Sequence, residues 1–175
     1  MTDETETYFE IKDGSDFVRV EVLKQNFPEA ELDWDKNSVS CWVSAKAGLF
    51  SGKFKADLMT TDFEIFRKEL EILYEELDQE ATFHGYEYQV TIKIKGDGIG
   101  HLNARCMLMD HVGIGNELKS ELNFDQTELP KLIDQLGKIT TEFKVFGEIN
   151  DKTTGANNGY NSLWRNFLRK IHIFK

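Results

Sequence analysis

Several polar residues in the second half of the chain have types that could perform acid-base chemistry. His101 and Arg105 lie four residues apart in an alternating stretch, so both side chains would share one face of a β-strand. Together with Asp110 or Glu117 they would form a polar pocket, and convergent titratable groups in a concave site are typical of enzymes. The same alternation also fits a solvated sheet face beside a hairpin. A small enzyme with a polar pocket on the sheet is therefore the alternative function that the sequence leaves open.

Other patterns resemble ligand-binding motifs but lack essential residues. The glycine-rich run 96–100 lies between two strand patterns, with no helix after it and no Walker lysine, so it predicts a hairpin turn. The run 33–37 begins like a calcium loop, but Ser38 replaces the required glycine and Ser44 the required glutamate. The four histidines are dispersed, and Cys41 and Cys106 each fall on an apolar strand side. We therefore expect no cofactor, no metal site and no catalytic residue.

Two tryptophans have settings that suit partner binding. Trp34 stands between Asp33 and Asp35, and an aromatic side chain beside acids is a composition that could seat a basic partner. Trp42 falls on the strand face opposite Cys41, among serines and a lysine. We predict Asp33, Trp34, Asp35 and Trp42 as partner-binding residues. Large aromatic side chains are also common in cores, which is the alternative for both tryptophans.

Half-buried strands must position these residues. Alternation of apolar and polar residues is typical of antiparallel sheets with one solvated face, and the turn residues Asp13, Gly14 and Ser15 predict a hairpin between the first two strands. The predicted strands cover residues 8–12, 17–24, 38–46, 52–59, 86–95, 100–110 and 116–124.

One amphipathic helix follows the fourth of these strands and another follows the last, and both need a sheet to cover them. Thr61 and Glu64 have the spacing of a capping box for the first helix, and the second opens near Thr127 with Pro130 in its first turn. We predict an α+β fold, in which an antiparallel sheet of about seven to eight strands carries two helices, plus a short C-terminal helix. The residues predicted to face inward are Phe63, Phe66, Leu70, Leu73 and Leu77 in the first helix and Leu129, Leu132, Leu136, Ile139 and Phe143 in the second.

Charge divides the chain into two parts. Residues 150–175 carry a net charge of +4, and since the whole chain carries −10, residues 1–149 carry −14. We predict a single α+β domain over 1–149, followed over 150–175 by a linker and a basic amphipathic element. The acidic domain would repel nucleic acid and attract basic partners. With no signal peptide and no apolar run long enough to span a membrane, we expect a cytoplasmic location and no membrane contact.

The basic element has an apolar stripe at helical spacing, formed by Trp164, Phe167, Leu168 and Ile171. Three interpretations remain open for it. A helix of this kind could dock on its own acidic domain, contact a second copy or a partner, or lie on a membrane surface. The last is the weakest, because one short helix with few basic residues binds membranes only marginally.

Read together, four local patterns between residues 33 and 146 make the chain resemble the WapI family of bacterial immunity proteins. The most characteristic of them is the one in which a helix begins after Asp125-Gln-Thr127. Those three residues also form a physically sound helix cap. The patterns are Ser38-Val-Ser-Cys-Trp-Val-Ser-Ala-Lys-Ala47, Gly48-Leu-Phe-Ser-Gly52 leading into Lys53-Phe-Lys-Ala-Asp-Leu58, Asp62-Phe-Glu-Ile-Phe-Arg-Lys-Glu-Leu70, and Leu122-Asn-Phe-Asp-Gln-Thr-Glu-Leu129.

The resemblance implies a cytoplasmic, non-enzymatic protein that binds a cognate toxin domain and neutralises it by occlusion, without a cofactor. A basic nuclease would be a suitable toxin for so acidic a binder, which would then make no direct contact with nucleic acid itself. Residues 150–175 have no counterpart in the family pattern. A structural or regulatory interaction module that uses this basic segment is the remaining alternative.

Overall fold

The computed structural model describes residues 6–85 and 87–149. The predicted C-terminal linker and helix lie outside the described residues. In chain order the elements are β1 (Thr7–Asp13), β2 (Asp16–Gln25), α1 (Asp33–Lys36), β3 (Ser38–Ala47), β4 (Phe50–Met59), α2 (Thr60–Glu75), β5 (Glu80–His84), β6 (Val90–Gly96), β7 (His101–Met109), β8 (Glu117–Asp125), a 3-10 turn (Gln126–Glu128) and α3 (Leu129–Glu142).

The eight strands form two antiparallel meanders, which we call sheet A (β1-β2-β3-β4) and sheet B (β5-β6-β7-β8). The α+β class and the strand number are as predicted, but the strands divide into two sheets where one was expected. The amide of Asn123 in β8 donates to the Asp13 carboxylate in β1 at 2.9 Å, so the two sheets adjoin at these strands. α2 packs on β5 and on α3, and α3 packs on β1.

One strand was not predicted, and another begins later than predicted. β5 is five residues long and follows α2 closely, so its alternation, with Ala81 and Phe83 buried, is too brief to stand out. The predicted strand over 86–95 starts only at Val90. Tyr88, expected to align with that strand, lies in a turn with φ 54°, and its amide donates to the carbonyl of Gly85 at 2.8 Å.

Helix starts follow local capping chemistry, although not at the predicted residues in α2. The predicted capping box of Thr61 and Glu64 is wrong, because β4 runs directly into the helix and Met59 is the N-cap. The amide of Met59 donates to the carboxylate of Asp62 at 3.3 Å. Asp125 accepts a hydrogen bond from the Thr127 amide at 3.0 Å, which confirms it as a cap, although of the 3-10 turn that leads into α3.

An apolar core formed by the described residues joins both sheets and both long helices. At its centre Phe9 of β1, Phe63 and Phe66 of α2 and Phe83 of β5 are fully buried. The centroid of the Phe83 ring lies 5.4 Å from that of Phe9 and 5.2 Å from that of Phe63, so aromatic contacts connect sheet A to sheet B through α2. The inward residues predicted for the helices are buried, except Leu77 and Phe143, which lie just beyond the helix ends and are partly exposed.

Candidate partner-binding surface

The connection between β2 and β3 contains α1, a single helical turn that carries Asp33, Trp34 and Asp35. Asn37, directly after it, is only 4% exposed. Its side-chain oxygen accepts hydrogen bonds from the Phe146 amide at 2.8 Å and from the Thr60 hydroxyl at 2.7 Å. Its side-chain nitrogen donates to the Phe146 carbonyl at 2.9 Å. The helical turn is therefore anchored both to the start of α2 and to the chain that follows α3.

The anchored connection presents apolar side chains among acids. Phe27 is 57% exposed, Leu32 66% and Trp34 53%. Glu29, Glu31, Asp33 and Asp35 stand among them, and with Lys36 they give residues 27–36 a net charge of −3. We call residues 27–36 the acidic-apolar segment. Exposed aromatic and aliphatic groups framed by charge are the composition of a protein-binding surface.

Trp42, the fourth predicted contact, lies within a strand and not in this connection. It is the fifth residue of β3, about 13 Å along the strand from its start. The register of sheet A places Trp42 directly between Glu21 and Lys55 on the solvent face. The Nζ atoms of Lys53 and Lys55 lie 4.8 and 5.1 Å from the centroid of the Trp42 ring. The structure thus holds Asp33, Trp34 and Asp35 in one helical turn and Trp42 in the middle of β3, under two lysines.

The solvent face of sheet B forms an open concavity of about 880 Å³ that includes His101 and Arg105. The two residues share a face, as their spacing predicts. Neither predicted partner lies beside them: the register pairs Arg105 with Glu121, whereas Glu117, although on the same face, lies opposite Met109 at the far end of β7. The ion pair of Arg105 and Glu121 is 3.3 Å long, with the side chains 73% and 59% exposed, so water screens it strongly.

Asp110, the other predicted partner of His101, stabilises a loop. Its carboxylate accepts hydrogen bonds from the amide of Asn116 at 2.7 Å and from its side chain at 3.0 Å. These two hydrogen bonds from Asn116 hold the pKa of Asp110 below its usual range. The extended geometry of β7 explains the separation, because Asp110 follows the last residue of the strand while His101 is the first.

The glycine-rich run is a hairpin turn between β6 and β7, as predicted. The Asp97 carboxylate accepts hydrogen bonds from the amides of Ile99 at 2.9 Å and His101 at 3.0 Å. These bonds hold the pKa of Asp97 below its usual range. The amides that a bound phosphate would require are therefore already paired within the turn.

Both cysteines are free and buried on core-facing sides of their strands, as their positions predict. Burial raises the pKa of Cys41 above its usual range and that of Cys106 to about 12, so both thiols stay protonated. Within residues 6–85 and 87–149, no group of three or more His, Cys, Asp or Glu side chains is arranged to hold a metal ion. In the same part of the chain, no helix is long and apolar enough to cross a membrane.

Two features of this surface were missed by sequence reasoning. Phe27 and Leu32 belong to no predicted strand or helix, and their isolation from any such pattern is the available signal of exposure. Asn37 offered no signal, because its partner Phe146 is 109 residues away in the chain.

The family model described as "Immunity protein WapI-like family" matches residues 9–144, which run from β1 to just beyond α3. The chain belongs to this family. No curated protein is significantly similar to it. A solved structure of MRP1/MRP2 from Trypanosoma brucei covers 79% of this WapI-like protein and 86% of its own chain, at 12% identity and a TM-score of 0.46. Similarity at that level carries no functional argument.

Family membership confirms the resemblance and extends it toward the N-terminus, since the matched interval includes both β1 and β2. It indicates an immunity function for this WapI-like protein, and with it a toxin protein as the binding partner. The acidic-apolar segment lies inside the matched interval, and residues 150–175 lie outside it.

Proposed function

We propose that this WapI-like protein neutralises a cognate toxin domain by binding it through the acidic-apolar segment and covering its active surface. The role is non-enzymatic, needs no cofactor and is exercised in the cytoplasm. The observation that carries the proposal is the exposure of Phe27, Leu32 and Trp34 among four carboxylates on an anchored connection. Trp42 stands outside this contact, although the sequence pattern had grouped it with Trp34.

The energy available from this surface suits a specific contact. Trp34 has 53% of its surface exposed, and covering about half of a tryptophan removes roughly 120 Å² of apolar surface from water. At about 25 cal/mol per Å² this contributes about 3 kcal/mol, the size of an interface hot spot. Because Asn37 holds the helical turn in place before binding, little of that energy is spent on ordering the segment.

The four carboxylates favour a basic toxin domain. Clustered charge of one sign speeds the encounter with a partner of opposite sign and repels partners of the same sign. A nuclease domain fits this requirement, because a surface that binds nucleic acid is itself basic. The immunity protein would then cover that surface without touching nucleic acid.

The decisive experiment uses the toxin-type domain encoded beside this chain. Its affinity for the full chain is measured by calorimetry, and its activity is measured with and without the chain. We expect Trp34→Ala to weaken binding about 100-fold, from the 3 kcal/mol above, and Trp42→Ala to change it less than threefold. Asp33→Asn with Asp35→Asn should slow association and flatten its salt dependence.

The outcomes separate the parts of the proposal. If the unmodified chain does not bind or inhibit the toxin domain, the immunity function is wrong for this protein. If it binds, but Trp34→Ala binds as tightly as the unmodified chain, the toxin is held by another surface. An inhibited toxin that still acts on its substrate while bound would refute occlusion.

A further inference from the structure

The chain that follows α3 runs beside the acidic-apolar segment. The Phe146 backbone is held by Asn37 through two hydrogen bonds of 2.8 and 2.9 Å, and the Nζ atom of Lys36 lies 5.4 Å from the centroid of its ring. A Cβ atom placed on Gly147 would lie 3.1 Å from the Oδ2 atom of Asp33, so that backbone passes directly against α1. Everything beyond residue 149 therefore starts next to this surface.

Residues 160–175, which we call the C-terminal segment, have the composition that this surface would attract. The segment contains four basic residues and no acid, a net charge of +4, against −3 in the acidic-apolar segment. Its apolar residues recur at helical spacing, and the surface offers three exposed apolar side chains as counterparts. The basic residues are Arg165, Arg169, Lys170 and Lys175, and Trp164, Phe167, Leu168 and Ile171 are the apolar residues that form the stripe.

We propose that the C-terminal segment docks on the acidic-apolar segment of the same molecule when no toxin is bound. Residues 148–159 provide the connection, and a random-coil chain of twelve residues would span about 20 Å on average. Such a tether gives an effective concentration on the order of millimolar, far above that of a second copy in a dilute solution. Intramolecular docking therefore prevails over exchange between molecules.

The outer face of α2 is the rival acidic surface, and it suits the segment less well. Its acids Glu64 and Glu71 already pair with Arg67, which neutralises part of the charge. The chain also leaves the body at α1, so the acidic-apolar segment is reached first. These two facts distinguish the surfaces even though both expose apolar side chains.

Docking would regulate the proposed toxin site, and this consequence alone rests on the proposed function. The C-terminal segment would occupy the surface that a basic toxin needs and would have to be displaced. With an effective concentration of about 1 mM and an intrinsic affinity of about 100 µM, the segment would weaken toxin binding about tenfold. Disrupting its apolar side with Trp164→Ala and Leu168→Ala should therefore tighten toxin binding about tenfold.

Docking itself is tested in the full chain without toxin. A spin label is attached at Ser162→Cys in ¹⁵N-labelled protein, and the broadening of backbone amide signals is recorded by NMR. Cys41 and Cys106 are 0% and 3% exposed, so they do not compete for the label. We expect broadening of the amides of residues 27–37. The broadening should be lost in Glu29→Lys with Glu31→Lys. It should be retained in the matched control Glu75→Lys with Glu76→Lys, whose acids are also exposed and lie at the end of α2.

Each other result overturns the proposal. Broadening centred on α2, or unchanged by the reversal at Glu29 and Glu31, would place the segment elsewhere. Broadening carried from spin-labelled unenriched protein to ¹⁵N-labelled protein would mean exchange between copies. No broadening at all would mean that the segment does not dock. Because no toxin is present in this experiment, its results do not depend on whether the immunity function is correct. A chain that binds the toxin but shows no docking would refute the docking proposal and leave the immunity function intact.

Discussion

Asn37→Ala removes the side chain that fixes the candidate surface, and its effect can be worked out from three hydrogen bonds. The substitution leaves the amide and carbonyl of Phe146 and the hydroxyl of Thr60 without their partner. A neutral hydrogen bond contributes about 1 kcal/mol net, and burying an unpaired polar group costs about 1 to 3 kcal/mol. Water can reach the Phe146 side because that residue is only partly buried, so we expect a loss of about 2 to 4 kcal/mol in the free energy of unfolding.

The loss is measured by urea denaturation followed by circular dichroism, and hydrogen exchange of the Phe146 amide reports whether the local contact has opened. Asn103→Ala is the matched control. Its side chain also donates a hydrogen bond, to Asn123 at 2.9 Å, but that pair is solvent-exposed. The control should change the free energy of unfolding by less than about 0.5 kcal/mol.

The same substitution should weaken toxin binding, because a released helical turn must be ordered again in the complex. Asn37→Asp provides a finer test, since it keeps the acceptor for the Phe146 amide and the Thr60 hydroxyl but sets a carboxylate oxygen against the Phe146 carbonyl. It should therefore remain destabilised relative to the unmodified chain. If Asn37→Ala unfolds within 0.5 kcal/mol of the unmodified chain and the Phe146 amide stays protected, the anchoring role assigned to Asn37 is wrong.

Three further predictions concern the core, pH and the face of sheet B. Phe83→Ala should cost about 3 to 5 kcal/mol by denaturation, because its fully buried ring joins the two sheets; a cost below 1 kcal/mol would contradict this role. Burial raises the pKa of Asp62 to about 7, above its unfolded value near 4, so folding favours its protonated form and stability is lost as the pH rises from 4 to 7. Asp62→Asn should remove that part of the pH dependence; parallel stability curves for the two proteins would exclude it. Arg105→Ala should change stability by less than about 0.5 kcal/mol and leave toxin affinity unaltered, since its ion pair is exposed, and a tenfold loss of affinity would instead place the toxin on sheet B.

Much of the fold was predictable because its signals are local. The alternation of Val18, Val20 and Val22 places them on one strand face whatever surrounds the strand, and Gly14 at φ 58° closes the β1–β2 hairpin between paired Asp13 and Asp16. The errors arose where local signals were short or ambiguous. β5 has only five residues, and nothing in the spacing of the strands distinguishes one sheet from two adjoining sheets.

In the candidate site too, groupings of neighbouring residues were predictable and contacts between distant residues were not. Asp33, Trp34 and Asp35 are neighbours in the chain, so their grouping in one helical turn needed no long-range information. Trp42 was grouped with them by composition, but its neighbours come from other strands. The antiparallel register sets Lys55 beside it, and Lys53 also reaches its ring.

By itself, the sequence determined the α+β class, the strand faces, the cap at Asp125, the acidic charge and the family pattern. Each of these depends on residues within a few positions of one another or on composition. Only the tertiary structure decided that Asn37 holds Phe146 and so places the exit of the chain beside Trp34. It also decided that Arg105 faces Glu121 and not Glu117. Contacts between distant residues depend on how the strands pair and the elements pack, and no local pattern of residue types encodes that arrangement.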